Sequence, residues 1–380
     1  YLVNGHGPQD NWTGLFRPGE RVRLRVINAS AMTTFNVRIP GLKLAIVQAD
    51  GLNVRPVEVD EFQIGVAETY DVIVNPTDER AYTLVGESVD RSGMARATLA
   101  PREGMAAEIP PLRKRPVATM KDMGMDMNMD MSSGGSMQGM DHSAMPGMDH
   151  GSMPAAGTPA PAMDHAQMGH GAAPAGAMAG MAHGTQAGAA MPGMAGASSA
   201  HDGMGMGGMA GMDMNMRDFS KAPGVKKGPG VQTISPMPMD RTGDPGQGLE
   251  NVGHRVLTYR DLVSVDRNPD LRAPSREMQI HLTGNMERYM WALDGEKLSE
   301  VKEPIPFLAG ERVRVTLVND TMMGHPIHLH GHFFELVTGH GAYSPRKHTV
   351  MVQPGGKVSW DVTANEGDWA FHCHMLYHMH

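Results

Sequence analysis

Cysteine and aromatic residues are scarce in this chain of 380 residues. The single Cys excludes a disulfide framework and any zinc site built from several cysteines. Aromatic residues make up only 5% of the chain, whereas Gly (47) and Met (36) far exceed normal usage. There is no run of 18 apolar residues, so we expect no transmembrane helix. The net charge of −8 argues against nucleic acid as a partner.

The middle of the chain accounts for the unusual composition. Residues 120–216 contain 23 Met, 6 His, 8 Asp and 1 Lys, but no Val, Ile, Leu, Phe, Tyr or Trp. Such a segment cannot bury enough apolar surface to offset the entropy of ordering, which predicts disorder. It is either a flexible linker of drifted composition or a copper-binding segment. The Met content favours copper, because thioether sulfur selects Cu(I) and neutral linkers use Ser, Gly and Pro.

Two similar segments flank this stretch. FRPGERVRLRVINAS begins at Phe16, and FLAGERVRVTLVNDT begins at Phe307. Each pattern indicates a turn followed by a half-buried strand, because apolar and charged residues alternate. The repeat predicts an all-β fold with two Greek-key β-sandwich domains, at residues 1–115 and 252–380. Residues 116–251 are predicted to form a disordered, Met-rich linker.

Histidines concentrate near the C-terminal end. Ten of the 19 His and the only Cys lie in HPIHLHGH (325–332), HCHMLYH (372–378) and the residues around them. Both runs contain His-x-His, and residues two apart on a strand share a face. If the two runs form neighbouring strands, one face gathers four imidazoles. These belong to His328, His330, His372 and His374.

Cys373 points to the other side of its strand, where it can meet His325 and His378. Two His and one Cys are the ligand set typical of a blue-copper electron-transfer site. Structural zinc would need a fourth protein ligand and usually more Cys. The remaining histidines of this region lack such partners, and we expect none of them to be a ligand. They are His332, His340, His348 and His380.

The first repeat provides an internal comparison. Aligned by sequence, three of its residues fall opposite His325, His328 and His330, namely Thr34, Val37 and Ile39. A further three fall opposite His372, Cys373 and His374, namely Val85, Gly86 and Glu87. None of the six is His or Cys, so the first domain is predicted to have the fold without the ligands.

Several stretches resemble the multicopper oxidases. HPIHLHGH and HCHMLYHM resemble the two C-terminal copper signatures of that family. The resemblance is closer still to the copper-resistance protein A branch of the family. It is carried by LTGNMERYMWALDG (282–295), LVNDTMMGHPIHLHGHFFEL (317–336) and RKHTV (346–350). Residues 11–41 and 59–74 resemble the same branch. A Met-rich insertion between the second and third cupredoxin domains is also typical of it.

The resemblance implies a role for each ligand. Type 1 copper would be held by His325, Cys373 and His378. Type 2 copper would use His328, and type 3 copper would use His330, His372 and His374. The family takes electrons singly at type 1 copper, passes them through the Cys to the flanking His, and reduces dioxygen to water at the trinuclear cluster.

The resemblance also implies features that the sequence does not contain. These are a first cupredoxin domain with HxHG and HxH motifs, a targeting signal, and an axial Met at position 383, beyond His380. We therefore expect a fragment of a longer protein that is inactive by itself. The implied location is the periplasm, and the implied cofactor is copper.

The sequence favours an enzyme that oxidises Cu(I) to Cu(II) with dioxygen in copper tolerance, with phenols as a further substrate class. Met322 and Met323 either dock Cu(I) near His325 or pack as apolar loop residues. The alternative is a copper-sequestering protein that acts through the Met-rich segment. A two-domain copper enzyme of the nitrite-reductase or small-laccase kind is excluded, because it needs ligands in both domains and the first domain has only His6.

Overall fold

The computed structural model describes residues 1–125 and 216–379. Among these residues, strands dominate and the helices are six short 3-10 turns, which confirms the all-β prediction. None of these turns is long and apolar enough to cross a membrane. The predicted disorder and copper binding of residues 126–215 lie outside the described residues. The 3-10 turns are Lys121–Met123, Phe219–Lys221, Tyr259–Asp261, Leu298–Glu300, Gly341–Tyr343 and Leu376–His378.

The first β-sandwich follows the alternation seen in the sequence. Val22, Leu24 and Val26 pack against the core, whereas Arg23 and Arg25 face solvent. The strands form a five-stranded sheet in the order β1-β9-β8-β3-β6 and a four-stranded sheet in the order β2-β7-β4-β5, with the apolar core between them. Their bounds are β1 Thr13–Leu15, β2 Val22–Ile27, β3 Phe35–Arg38, β4 Leu44–Ala49, β5 Leu52–Val59, β6 Glu61–Ile64, β7 Thr69–Val74, β8 Tyr82–Ser88 and β9 Met94–Ala100.

The second β-sandwich repeats this plan. One sheet has the order β12-β11-β13-β18-β15-β16, with β10 also paired to β18, and the other has the order β17-β14-β19. Both His-rich runs begin in the three-stranded sheet, on β14 and β19, and continue beyond it. The bounds are β10 Met239–Asp240, β11 Arg276–Asn285, β12 Met290–Leu293, β13 Arg312–Asn319, β14 His325–Leu329, β15 Phe334–Leu336, β16 Arg346–Lys347, β17 Thr349–Val352, β18 Gly356–Thr363 and β19 Phe371–Cys373.

A buried group of charges lies where the two sandwiches meet. Lys347 Nζ is 3.0 Å from Asp50 Oδ1 and 3.3 Å from Glu68 Oε1, and the three side chains are at most 1% exposed. Tyr259 donates to Glu68 at 2.6 Å and accepts from the Met351 N–H at 2.8 Å. Such a group is stable only because each charge has partners of opposite sign or hydrogen bonds.

The expectation of a disordered linker over 116–251 does not hold at either end. Arg241 donates to Asp122 Oδ1 at 2.7 Å, and the two side chains are 2% and 1% exposed. Residues 216–251 also contribute β10 and a small buried apolar cluster. The Pro and Gly content of this segment indicated flexibility. Pro and Gly also form tight turns, however, and here such turns separate Val and Ile residues that can be buried. The cluster consists of Ala222, Val225, Val231 and Ile234. The boundaries at 115 and 252 remain predictions.

The strand registers correct the alignment of the two repeats. Val37 pairs with Gly86 as Ile327 pairs with Cys373, and both Val37 and Ile327 lie in the apolar cores. The residues opposite His325, His328 and His330 are therefore Phe35, Arg38 and Pro40. Each lies one position later than expected, because the loop after Asn28 is one residue longer than its counterpart in the second sandwich.

Candidate metal centre

Three buried side chains of the second sandwich meet at one point. His325 begins β14, Cys373 ends β19, and His378 ends the 3-10 turn that follows β19. Since Ile327 lies directly opposite Cys373 in the antiparallel pair, His325 and Cys373 point to the same side of the sheet. The 3-10 turn then brings His378 back to Cys373.

The distances within this group suit a metal ion. Cys373 Sγ lies 3.7 Å from Nδ1 of both His325 and His378, and the two Nδ1 atoms are 3.3 Å apart. With metal–N and metal–S bonds of about 2.0–2.3 Å, a trigonal site would separate its ligand atoms by about 3.5–3.9 Å. The three residues are 3%, 8% and 8% exposed. Two imidazoles and a thiolate are the ligands of blue copper, so the residues present fit that ion.

Neighbouring side chains fix the orientation of both imidazoles. His325 Nε2 lies 2.7 Å from Thr321 Oγ1, and that hydroxyl donates to Asn319 Oδ1 at 2.8 Å. Thr321 therefore accepts from the His325 Nε2–H, which leaves Nδ1 of His325 with a free lone pair directed at the centre. Trp291 stacks on His378 with ring centroids 3.8 Å apart.

Burial sets the charge state of the three groups. Desolvation, together with the nearby His378 ring, lowers the pKa of His325 to about 3, and desolvation lowers the pKa of His378 to about 4. Both imidazoles are thus neutral at pH 7, which is the form that binds metals. Burial raises the pKa of the Cys373 thiol to about 12, against a backbone hydrogen bond from Met375 that lowers it. A thiolate at this position needs a bound cation to balance its charge.

The other four predicted histidines gather on the opposite side of the same two strands. His328 lies directly opposite His372 in the β14–β19 pair. Neighbouring rings have centroids 4.7 to 5.7 Å apart, and Nε2 of His330 lies 3.0 Å from Nε2 of His372. His330 is exposed, whereas His328, His372 and His374 are half-buried. The structure thus brings the seven predicted ligands together as two groups, one on each side of β14 and β19.

Backbone carbonyls orient two rings of this imidazole cluster. His328 Nδ1 lies 2.7 Å from the carbonyl oxygen of His348, and His372 Nδ1 lies 2.9 Å from that of Cys373. Because a carbonyl only accepts, both Nδ1 atoms carry the proton and both Nε2 atoms keep a lone pair, which at His372 faces His330 Nε2. Desolvation lowers the pKa of His328 to about 4 and also lowers the pKa of His372. Neutral rings with one free nitrogen are suited to metal binding.

The two candidate docking methionines differ in their surroundings. Met323 packs against the core of the second sandwich, as the alternative of apolar loop packing predicts. Met322 is 36% exposed. Met322 is therefore the more exposed of the two, and Met323 is half-buried.

The histidines expected not to be ligands occupy different environments. His332 is bonded to the His330 carbonyl and to the Asn365 N–H, and His340 is bonded to the Arg260 carbonyl. The ring of His348, in contrast, lies 5.1 Å from that of His328. His380 lies outside the described residues.

Sequence reasoning missed Thr321 and Trp291, which contact the predicted ligands. A signal for Thr321 was present, because Asn319 and Thr321 recur in the first repeat as Asn28 and Ser30. Ser30 donates to Asn28 Oδ1 at 2.7 Å, just as Thr321 donates to Asn319. Trp291 had no such signal, since its contact with the site depends on the packing of β12 against the last 3-10 turn.

Comparisons with known proteins agree with this architecture. Two family models described as Multicopper oxidase match residues 1–104 and 272–380. Copper resistance protein A of Escherichia coli is 49% identical over 380 residues, which is 100% of this chain and 57% of that protein. Copper resistance protein A of Pseudomonas syringae pv. tomato is 50% identical over 100% of this chain and 58% of its own length. The chain thus spans less than two thirds of these relatives.

Solved structures show the same fold. Fet3p, a multicopper oxidase that functions in iron import, aligns with a TM-score of 0.50 at 14% identity, over 97% of this chain and 55% of its own. The laccase from Botrytis aclada aligns with a TM-score of 0.51 at 14% identity, over 97% of this chain and 51% of its own. The two family models cover more than half of the chain and the curated relatives match all of it. The chain belongs to the multicopper oxidase family.

Proposed function

We propose that this chain is part of a copper-dependent oxidoreductase that oxidises Cu(I) to Cu(II) with dioxygen. The observation that carries the proposal is the convergence of His325 Nδ1, Cys373 Sγ and His378 Nδ1 in a buried, neutral pocket. Relatives named Copper resistance protein A support a role in copper resistance and a periplasmic location. Laccases among the more distant relatives support phenols as a further substrate class.

Each group of side chains has a distinct role in this proposal. The buried group holds type 1 copper, and Cys373 provides its thiolate. In the imidazole cluster, His328 serves type 2 copper. His330, His372 and His374 serve type 3 copper. Copper bound at these ligands would supply one-electron redox chemistry, by which four Cu(I), four protons and one dioxygen would give four Cu(II) and two water molecules.

The two groups are covalently connected. Cys373 is bonded through single peptide links to His372 and His374, so one short stretch of chain joins the buried group to the imidazole cluster. The exposure of His330 leaves one side of the cluster open. We propose that this chain supplies only part of the ligands that a dioxygen-reducing centre requires.

A copper titration tests the assignment of the buried group. Wild-type chain titrated anaerobically with Cu(II) is expected to develop the intense absorption of a copper–thiolate bond. Cys373→Ser should lose this absorption because a hydroxyl is a hard, weakly acidic ligand. The matched control is His340→Asn, since His340 lies outside both groups. The assignment is wrong if Cys373→Ser keeps the absorption or if His340→Asn loses it.

Turnover separates the enzyme from the sequestering alternative. A protein spanning the full length of the curated relatives should consume one dioxygen per four Cu(I) added, repeatedly. This chain by itself should bind copper without such turnover. Binding that stops at a fixed copper-to-protein ratio in the longer protein would favour sequestration through the Met-rich segment, residues 120–216.

A further inference from the structure

A carboxylate of the first sandwich, in which no copper ligand is predicted, contacts two backbone N–H groups of the second sandwich. Asp50 lies in the tight turn between β4 and β5 and is 3% exposed. Its Oδ2 accepts from the backbone N–H of His348 at 3.1 Å and of Thr349 at 3.2 Å. Its Oδ1 accepts from the Thr69 N–H at 3.0 Å and pairs with Lys347. Both oxygens are therefore occupied by donors.

The peptide group between His348 and Thr349, whose N–H donates to Asp50, also contacts His328 through its carbonyl. The His348 carbonyl accepts from His328 Nδ1 at 2.7 Å and from the Leu329 N–H at 3.2 Å. Thr349 lies directly opposite His328 in the β14–β17 pair, with its Oγ1 3.1 Å from His328 Nδ1. A displacement of this segment would therefore remove the acceptor that keeps the His328 proton on Nδ1.

The segment needs support from outside its own sheet. β16 ends at Lys347 and β17 begins at Thr349, so His348 lies at the break between two strands. A buried backbone N–H at such a break requires an acceptor, and the Asp50 carboxylate provides it. A charged acceptor also forms stronger hydrogen bonds than a neutral one.

We propose that Asp50 is a positioning residue for the His328 imidazole, acting through the peptide groups of His348 and Thr349. The ligand-free sandwich thereby fixes the tautomer and direction of one ring of the imidazole cluster. The positioning itself needs no metal. Only its consequence for copper binding rests on the proposed function of His328.

Asp50→Asn is the variant that tests this. Asp50 has φ +47°, in the left-handed region that Asn tolerates well, so the backbone conformation is kept. The amide offers one acceptor oxygen in place of two, and its NH2 group cannot accept from a backbone N–H. The matched control is Glu68→Gln. It removes a negative charge from beside the same Lys347, but Glu68 makes no hydrogen bond to His348 or Thr349.

The first measurement is imidazole ¹⁵N NMR of the metal-free chain. Wild type and Glu68→Gln are expected to show His328 protonated only at Nδ1, with a slowly exchanging proton. Asp50→Asn should show averaged signals of both tautomers and faster proton exchange, because the carbonyl that accepts from His328 Nδ1 is displaced. An unchanged His328 signal in Asp50→Asn overturns the proposal, and so does an equal change in Glu68→Gln.

The second measurement uses Cu(II) as the probe. Asp50→Asn should keep the copper–thiolate absorption, because Asp50 contacts none of His325, Cys373 and His378. Its affinity for Cu(II) outside the thiolate site should fall about tenfold relative to Glu68→Gln. If the tautomer changes and this affinity does not, the positioning stands and the proposed role of His328 as a ligand fails. Loss of the thiolate absorption in Asp50→Asn alone would show a general disruption instead, which contradicts the proposal.

Discussion

Replacement of Thr321 by Val should weaken the buried copper site without changing any ligand. The Thr321 hydroxyl accepts from His325 Nε2 at 2.7 Å and donates to Asn319 Oδ1 at 2.8 Å, and all three residues are buried. Val has nearly the same shape but no hydroxyl. The His325 proton then either stays on Nε2 without a partner or moves to Nδ1, where it occupies the lone pair that would bind the metal.

The size of both effects follows from the burial of the site. A buried donor left without an acceptor costs about 1–3 kcal/mol, so the metal-free Thr321→Val chain should be less stable to unfolding by that amount. Loss of a partner that orients a metal-binding imidazole typically lowers metal affinity about 10–100-fold. The expected loss in copper-binding free energy is therefore about 1.4–2.7 kcal/mol.

Two measurements check this reasoning. Urea unfolding of the metal-free chain gives the change in unfolding free energy. Competition with a chelator of known Cu(II) affinity, followed through the copper–thiolate absorption, gives the change in binding. Thr321→Ser retains the hydroxyl and should bind copper within about threefold of wild type, since the orienting hydrogen bond is kept.

The repeat provides a matched control. Ser30 occupies the equivalent position in the first sandwich and donates to Asn28, and within the described part of the chain its hydroxyl has no hydrogen bond to an imidazole. Ser30→Ala should cost about 1 kcal/mol of stability and leave copper affinity unchanged. Equal copper affinity of Thr321→Val and wild type would refute the orienting role of Thr321, and so would an equal loss in Ser30→Ala.

Four further predictions concern other residues. Replacing residues 126–215 by a short Gly/Ser spacer should leave the copper–thiolate absorption unchanged and the unfolding free energy within about 1 kcal/mol of wild type, because the segment lacks core-forming residues. In contrast, Asp122→Ala should lower the unfolding free energy by about 1–3 kcal/mol, since the buried Arg241 guanidinium loses one charged partner and keeps Asp244. Burial raises the pKa of Glu87, but the hydrogen bonds and charge of Arg113 lower it by more, so the pKa lies below the usual 4.5. The stability that Glu87 provides is thus complete above about pH 5 and is lost as the pH falls through its lowered pKa. The unfolding free energies of wild type and Glu87→Gln should therefore differ at pH 7 and converge in acid. A difference that stays constant with pH would contradict this. Trp291→Leu should remove the stacking on the His378 ring and lower copper affinity by about 0.5–1.5 kcal/mol, whereas unchanged affinity in the chelator competition would show that the stacking does not orient the ring.

Local patterns in the sequence predicted the fold class and the grouping of the candidate ligands. Alternating apolar and charged residues, as in β2, depend only on the period of a strand, and they predicted both sandwiches. The same period placed Cys373 and His372 on opposite sides of one strand. Spacing was sufficient for His328, His372 and Cys373, because they lie on the paired strands β14 and β19. His330, His374 and His378 lie beyond the ends of these strands, so the period of a strand does not by itself fix their positions.

The same local reasoning was wrong where composition and packing disagree. Residues 217–251 are rich in Pro and Gly, but they contain enough Val and Ile to form a small buried apolar cluster. Arg241 also has a buried partner in Asp122. The alignment of the repeats was displaced by one residue because a loop-length difference leaves no periodic signal. Neither feature can be read from a window of neighbouring residues.

The sequence by itself thus determined which residue types are present and which face of each strand they occupy. Only the tertiary structure decided which groups from distant segments meet: Thr321 with His325, Trp291 with His378, and Asp50 with the peptide groups beside His328. The physical reason is that period and propensity act within a few residues. Contacts across nearly 300 residues, such as that of Asp50 with His348, are fixed instead by how the two sandwiches bury their apolar faces and pair their buried charges.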